Sequence, residues 1–514
     1  MTAQRTPGPA HPTAGRPTAG TRPGRLRVMR IVTPTRADPV LRRLTASIGG
    51  ALGRHAAPGL VAPGFFTIER VLVLLTVVAA VLSVVVKQYC RVNGWHTPDH
   101  FYAACYSDWG ELFHTRGLDT GVIPFITPGQ RFEYPVLLGA LAGLTALLVP
   151  GSGASVARST AYFDINAVLV AATWIVAVVA TARMSHRRPW DAAMLAVAPA
   201  VILSATINWD FWAVMLAALA MLAFARERPV LAGVLIGLGT AVKLYPLLLL
   251  GPILVLAVRS GKWRPVALTA LATAVSWLAV NLPLMLTDYA GWRYFLDFTR
   301  DRPAGFSSVW YVQEVMADRF HLTPLPVDTI NTLSTGLFVL CCLAVALLGL
   351  TSTRRPRMAQ LAFLVVTAFV LTNKVYSPQY VLWLVPLLAL ARPRWRSFLV
   401  WQVIEVLHWA ATWLYLGQLT SGGNAQHNID KLYYSLAVIA HMVALIYLMA
   451  AVVREILRPD LDVVRDQGID DPQGGPFNGA ADVLPWITVR RRPRPATMGS
   501  TRAVRDTGDP QPRL

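Results

Sequence analysis

A polar stretch of residues 88–133 follows the first apolar run of this chain and gathers carboxylates, histidines and two cysteines. Its centre is Cys105-Tyr-Ser-Asp-Trp109, and it closes on Phe132-Glu-Tyr-Pro135. Asp108 falls in an amphipathic stretch, His100 to His114, that suits a helix lying along a membrane surface. A carboxylate there can take the proton of a reacting hydroxyl. Asp99, Glu111, Asp119 and Glu133 compete for that role, and as solvated loop acids all five would do no chemistry. Cys90 and Cys105 share the stretch and are able to pair if it faces an oxidising compartment. Cys341 and Cys342 lie inside an apolar run and read as packing.

Two lysines stand at matching turns between short apolar runs. Lys243-Leu-Tyr-Pro246 joins 229–242 to 246–258, and Lys374-Val-Tyr-Ser-Pro378 joins 358–372 to 378–391. Pro246 and Pro378 restrict the backbone where it turns. A lysine beside apolar spans either snorkels to the interface or holds an anion, and a lipid phosphate is a fitting one. Ile207-Asn-Trp-Asp210 makes a third turn, where Asn208 and Asp210 suit sugar hydroxyls and suit a helix N-cap equally well. Tyr245, Tyr376 and Gln379 lie in or beside these turns, Tyr134 closes the first polar stretch, and the four complete the substrate-binding candidates. A second polar stretch, 287–331, mixes acids and arginines with Trp292, Trp310 and Tyr311, a mixture that suits a carbohydrate or an aromatic belt. Trp310 and His321 are its candidates. Glu405-x-x-His408 offers too few ligands for a metal, so neither a metal nor a cofactor is expected. The chain has no phosphate-cradling glycine loop, nucleophile elbow or Cys-x-x-Cys pair.

These residues must be carried by membrane helices. The chain has 514 residues, 54% hydrophobic and 15% charged, with thirteen continuous apolar runs between Val71 and Val453. Continuous rather than alternating runs exclude a β-barrel and predict an all-α polytopic protein. The net charge of +19 sits in the tails and short loops, so membrane lipid is an expected partner and nucleic acid is not. The polar residues ahead of the first run argue against a cleavable signal. Residues 1–62 and 459–514, rich in Pro, Gly and Arg, are expected to be disordered cytoplasmic tails around a membrane domain at 63–458. If 134–150 lies in the interface instead of crossing, the basic loops 183–188, 226–228, 259–264, 354–357 and 392–396 all fall on one side. That parity predicts about twelve spans, both tails inside, and two large outer loops.

With these features the chain resembles the C-type, polytopic, lipid-phosphate-sugar-dependent glycosyltransferases. It looks most like the actinobacterial polyprenyl-phosphate-mannose α-mannosyltransferases of glycosyltransferase family 87. The carriers are Asp108, the Tyr134-Pro135 step, Gly239-Thr-Ala-Val-Lys-Leu-Tyr-Pro246, and Lys374-Val-Tyr-Ser-Pro-Gln-Tyr-Val-Leu-Trp-Leu-Val-Pro386. The resemblance implies a C-type fold, Asp108 as general base and inversion at the anomeric carbon. It also implies no nucleotide-sugar site and no strict need for a divalent metal, since cationic side chains can stabilise a monophosphate leaving group. Where that family commonly shows a Gly-Gln-x-Asn-like turn, this chain has Ile207-Asn-Trp-Asp210, which leaves the acceptor open and weakens mannose as the sugar. The expectation is a plasma-membrane hexosyltransferase that takes a sugar, mannose first, from a polyprenyl phosphate to an envelope glycan or glycolipid. Lys243 and Lys374 would neutralise the departing phosphate. The alternatives are a twelve-span secondary transporter and a non-catalytic envelope-assembly protein.

Overall fold

The computed structural model describes residues 31–49, 66–424, 427 and 429–484, and these form helices, turns and loops with no strand among them. The long helices are α1 (Ile68–Val86), α2 (Asp108–Thr115), α3 (Val136–Leu147), α4 (Val156–Met184), α5 (Asp210–Ala225), α6 (Pro229–Val242), α7 (Leu250–Ser260) and α8 (Trp263–Thr287). They continue with α9 (Tyr289–Asp301), α10 (Val309–Arg319), α11 (Val327–Thr351), α12 (Met358–Thr372), α13 (Val381–Ala391), α14 (Trp395–Thr420) and α15 (Lys431–Leu457). Helices α1, α4, α8, α11 and α15 are long and apolar enough to cross a membrane. At 1.5 Å per residue, even about 20 residues reach across a hydrocarbon core of roughly 30 Å. Their outer sides expose Leu337, Leu340, Leu343 and Leu347 on α11, and Val443, Ile446 and Tyr447 on α15. Rows of exposed apolar side chains on this scale fit lipid, not water.

The shorter helices make the interior. Every residue of α13 is buried, and so is most of α12. Helices α6 and α8 touch backbone to backbone, since a Cβ at Gly233 would lie 2.3 Å from the Thr269 carbonyl oxygen. Thr273 uses that closeness to donate to the Gly233 carbonyl at 3.1 Å. Small residues let membrane helices approach in this way.

Side-chain contacts define two faces. On one, Arg183 at the end of α4 pairs with Glu69 at the start of α1, and Arg259, Arg355 and Arg357 pair with Asp482, Asp470 and Asp462. On the other lie the ends that meet around Asp108, with the Arg131–Asp288 and Lys431–Asp318 pairs. The segment 134–150 both begins and ends on this second face. Tyr134 reaches Asp108, while the Pro150 carbonyl accepts from Arg158 at the start of α4.

Three expectations need correction. The run 190–206 is not one helix; it is broken into Pro189–Ala192, Ala193–Ala196 and Pro199–Ser204, because Pro199 lacks the N–H to continue the ladder. The stretch 100–114 is likewise two short helices, Asp99–Tyr102 and α2, separated by the Cys105–Ser107 segment. Nor are the tails wholly unstructured. Residues 39–49 are helical, and the Val32 amide bonds the Arg187 carbonyl at 2.8 Å. Residues 459–484 fold onto the arginine-rich face, where Phe477 is buried against Phe224 and the Asp471 carboxylate caps the Met358 amide. The reason is charge. Asp462, Asp470 and Asp482 supply counter-charges to buried arginines that otherwise bond mainly backbone carbonyls. Residues 1–30 and 485–514 lie outside the described part.

Candidate active site

Asp108 is the first residue of α2, whose N-cap Ser107 accepts from the Trp109 amide. The preceding strand-like segment is anchored on three sides. The Cys90–Cys105 disulfide ties it to the chain beyond α1, Lys87 donates to the Tyr106 carbonyl at 2.9 Å, and Ser107 donates to the Thr206 carbonyl at 2.8 Å. The Asp108 amide donates to the Ile207 carbonyl at 2.8 Å, so the loop is stitched to the Ile207–Asp210 turn. The helix N-terminus adds a field that favours an anion at Asp108.

The carboxylate is held by neutral donors. Oδ1 accepts the Tyr106 hydroxyl at 2.7 Å; Oδ2 accepts the Asn208 amide and, at 3.2 Å, the Tyr134 hydroxyl. Asn208 also donates to the Tyr134 oxygen at 2.9 Å. Burial raises Asp108 above the ordinary carboxylate range, while Tyr106, the Lys243 ammonium, Asn208 and Tyr134 pull it back. Asp108 nevertheless keeps part of its surface exposed. Two of the competing acids are otherwise engaged. Glu133 is clasped by Arg116 through two bonds of 2.7 Å, Asp119 bonds His114 at 2.8 Å, and Asp99 is exposed. Glu111, one turn along α2, is raised by burial and by the nearby Asp108 charge.

Asn208 and Asp210 are not simple caps. Trp209 occupies the N-cap of α5 and makes no side-chain cap bond, and Asp210 is fully buried. One Asp210 oxygen accepts the Trp383 indole N–H at 2.8 Å, and the other faces Lys243 at 3.5 Å. Lys243 also stands 5.2 Å from the centre of the Tyr134 ring. Tyr245 and Tyr380 stack on Trp383 at 4.6 and 4.0 Å, forming an aromatic wall below the charges.

Lys374 is buried in its turn, and its ammonium donates to the Arg300 carbonyl, anchoring the second polar stretch. Burial and the nearby Arg302 guanidinium both lower it. Arg302 is also within electrostatic reach of Tyr380, as are Asp108 and Asp210. Gln379 is buried in the turn Pro378–Tyr380 that leads to Trp383.

Residues 132–373 match the model of glycosyltransferase family 87. The match supports glycosyltransferase activity in a multi-pass membrane protein. It spans Tyr134, Asn208, Asp210, Lys243 and Tyr245; Lys374 follows it directly, and Asp108 lies well before its start. A crystal structure of ArnT from Cupriavidus metallidurans bound to undecaprenyl phosphate is similar at 16% identity. The likeness covers 77% of this chain and 79% of that one, with a TM-score of 0.37. No curated protein sequence matches the chain.

Asp108, Tyr134, Asn208, Asp210 and Lys243 therefore meet in one cluster, with Tyr245 joined through Trp383. Other candidates fall elsewhere. Tyr376 turns away toward Glu405, with its hydroxyl 3.3 Å from the carboxylate. Trp310 is buried and donates to the Thr372 carbonyl at 2.9 Å, so its ring pins the second polar stretch and offers no open platform for a sugar. His321 is exposed just beyond the end of α10. Sequence reasoning missed Tyr106, Lys87, Trp383, Tyr380 and Arg302. Tyr106 was within reach of it, because residues two apart in an extended segment share a side. Trp383 was not, since it resembles any apolar residue of α13.

Proposed function

We propose that the chain is a hexosyltransferase that draws its sugar, mannose first, from a polyprenyl phosphate and delivers it to an envelope glycan or glycolipid at the outer membrane face. The observation that carries this reading is the Asp108 carboxylate, part-exposed and gripped by neutral donors, beside Lys243 and the Asp210–Trp383 pair. A general base needs an anchored carboxylate with access to the acceptor, and a departing phosphate needs cations. Asp108 takes the acceptor hydroxyl proton as the acceptor oxygen bonds the anomeric carbon. The bond from that carbon to the phosphate oxygen breaks, and its electron pair leaves with the polyprenyl phosphate. Lys243, with Arg302 within electrostatic reach of Tyr380 nearby, offsets the charge that grows on the phosphate, while Lys374 anchors the chain beside Arg302 through the Arg300 carbonyl. One-step displacement inverts the anomeric centre.

The orientation rests on two supports. The Cys90–Cys105 disulfide suits an oxidising, extracytoplasmic compartment. The arginine-rich face suits the cytoplasm, with both tails there. The test is transfer from a short-chain polyprenyl-phosphate mannose to extracted envelope glycolipid by purified protein in nanodiscs. Wild type is expected to turn over, and Asp108→Asn to lose about 10²–10⁴ in rate while remaining folded. Undiminished transfer by Asp108→Asn would remove the base from this site.

A further inference from the structure

Away from that cluster, inside the bundle, three ligand-type side chains converge. Glu405 and His408 stand one turn apart on α14, and His441 faces them from α15. All three are buried, with exposures of 3%, 1% and 1%, and their donor atoms lie within 4.8 Å of one another. Glu405 Oε1 is met by His441 Nδ1 at 2.7 Å and by the Trp401 indole N–H at 2.7 Å. The His408 and His441 rings stack at 4.7 Å. His408 is the anomaly: neither of its ring nitrogens has a hydrogen-bond partner among the described residues.

Burying a polar group without a partner is costly, and an imidazole with two idle nitrogens inside an apolar bundle calls for a reason. Packing alone would be served as well by Phe or Leu. We propose that Glu405, His408 and His441 bind one divalent transition-metal ion, zinc by ligand chemistry. Two imidazoles and a carboxylate are a recurrent three-ligand zinc set that leaves a fourth position open. Donor atoms already this close reach metal–ligand distances of about 2.0–2.2 Å by side-chain rotation. The Trp401 N–H on the Glu405 oxygen is the kind of outer hydrogen bond that orients a ligating carboxylate. The Tyr376 hydroxyl donates to the other Glu405 oxygen, Oε2, at 3.3 Å. The ion also answers the charge of a carboxylate buried between two helices.

The role follows from what the ion would join. Helices α14 and α15 would be clamped to each other and to the Lys374–Pro378 turn through Tyr376. That turn leads by ring contacts from Tyr376 to Tyr380 at 5.6 Å and on to Trp383, the partner of Asp210. The site is a structural clamp below the turn that carries Lys374. It stands independently of the transferase reading.

The experiment measures metal content by mass spectrometry on full-length protein purified in detergent with a histidine-free affinity tag. Samples are taken as isolated and after addition of one equivalent of Zn²⁺ followed by desalting. About one zinc per chain is expected in wild type, with loss of most of it in His408→Ala and Glu405→Gln at unchanged monodispersity. Failure of wild type to retain an ion after both treatments overturns the proposal, and so does full retention in a folded His408→Ala protein. Should both variants misfold, X-ray absorption on the wild-type ion decides. Two imidazoles with oxygen support the site, and sulfur or oxygen-only ligation overturns it.

Discussion

Replacing Tyr106 by Phe removes one oxygen and nothing else from the Asp108 cluster. The ring stays stacked on Phe101 at 5.2 Å and beside Trp413 at 5.2 Å, so the segment keeps its packing. What is lost is the 2.7 Å hydrogen bond to Asp108 Oδ1. Hydrogen bonds to charged groups contribute about 1.5–3 kcal/mol, and this one favours the ionised carboxylate alone. Burial already raises Asp108, and Tyr106 heads the groups that oppose the rise. Without it the carboxylate holds its proton to higher pH. A base must be ionised, so kcat/KM on the acid limb is expected to fall by about 10- to 150-fold, since 1.4 kcal/mol is about tenfold. Well above the limb both proteins carry an ionised Asp108, and the difference should shrink toward nothing. The assay is sugar transfer in nanodiscs from pH 5 to 9, fitted for the acid limb. Tyr134→Phe, which breaks a longer 3.2 Å bond, should displace the limb less. A loss in Tyr106→Phe that is equal at every pH would refute the reasoning. It would mean that the phenol acts on substrate and not through Asp108.

Other outcomes follow from the same contacts. Lys243→Met should lower turnover more than it raises the Michaelis constant, because a phosphate contact that strengthens as the leaving group gains charge acts on the transition state; a pure rise in KM would count against it. Asp462→Asn breaks a pair whose side chains are 0% and 1% exposed, so it should cost about 3–5 kcal/mol and open residues 459–484 to limited proteolysis. Unchanged cleavage would show that the segment is held by other means. Cysteines placed at the exposed positions Gly129 and Phe306 should react with an impermeant thiol reagent in intact cells, and one placed at Arg187 should not. Labelling of all three on one side would undo the orientation.

Much of the scaffold was legible because bilayer physics leaves few choices. Long apolar runs such as 265–286 became α8. The turns at Lys243 and Ile207–Asp210 were legible for a related reason, since polar residues between apolar runs are expensive unless used. What stayed hidden depended on partners distant in sequence. Residues 459–484 have the composition of a disordered tail, and they are ordered by arginines about 100 to 220 positions earlier. Lys243 and Lys374 look equivalent as motifs, yet only Lys243 adjoins Asp108; Lys374 is turned onto the Arg300 carbonyl. Glu405 and His408 looked like a lone pair because His441 lies on the next helix.

The position of Lys243 also suggests why so many charges gather in one small volume. Its ammonium is 3.5 Å from Asp210 Oδ2, well beyond the roughly 2.8 Å of a charge-assisted hydrogen bond, and that oxygen accepts no hydrogen bond among the described residues. Lys243 is thus shared between Asp210, the face of Tyr134 and the field of Asp108, and is fully committed to none. In the proposed reaction, an arriving phosphate would outbid these weak claims. As Lys243 turned toward it, Asp108 would lose one of the charges that hold it ionised and become a stronger base. The donor would then raise basicity when the acceptor proton must leave. Asp210, kept in place by Trp383, would remain behind to draw the ammonium back once polyprenyl phosphate departed. A tight Lys243–Asp210 salt bridge would compete with the phosphate, and a distant one would leave Asp210 buried without a counter-charge. The observed spacing lies between those two failures.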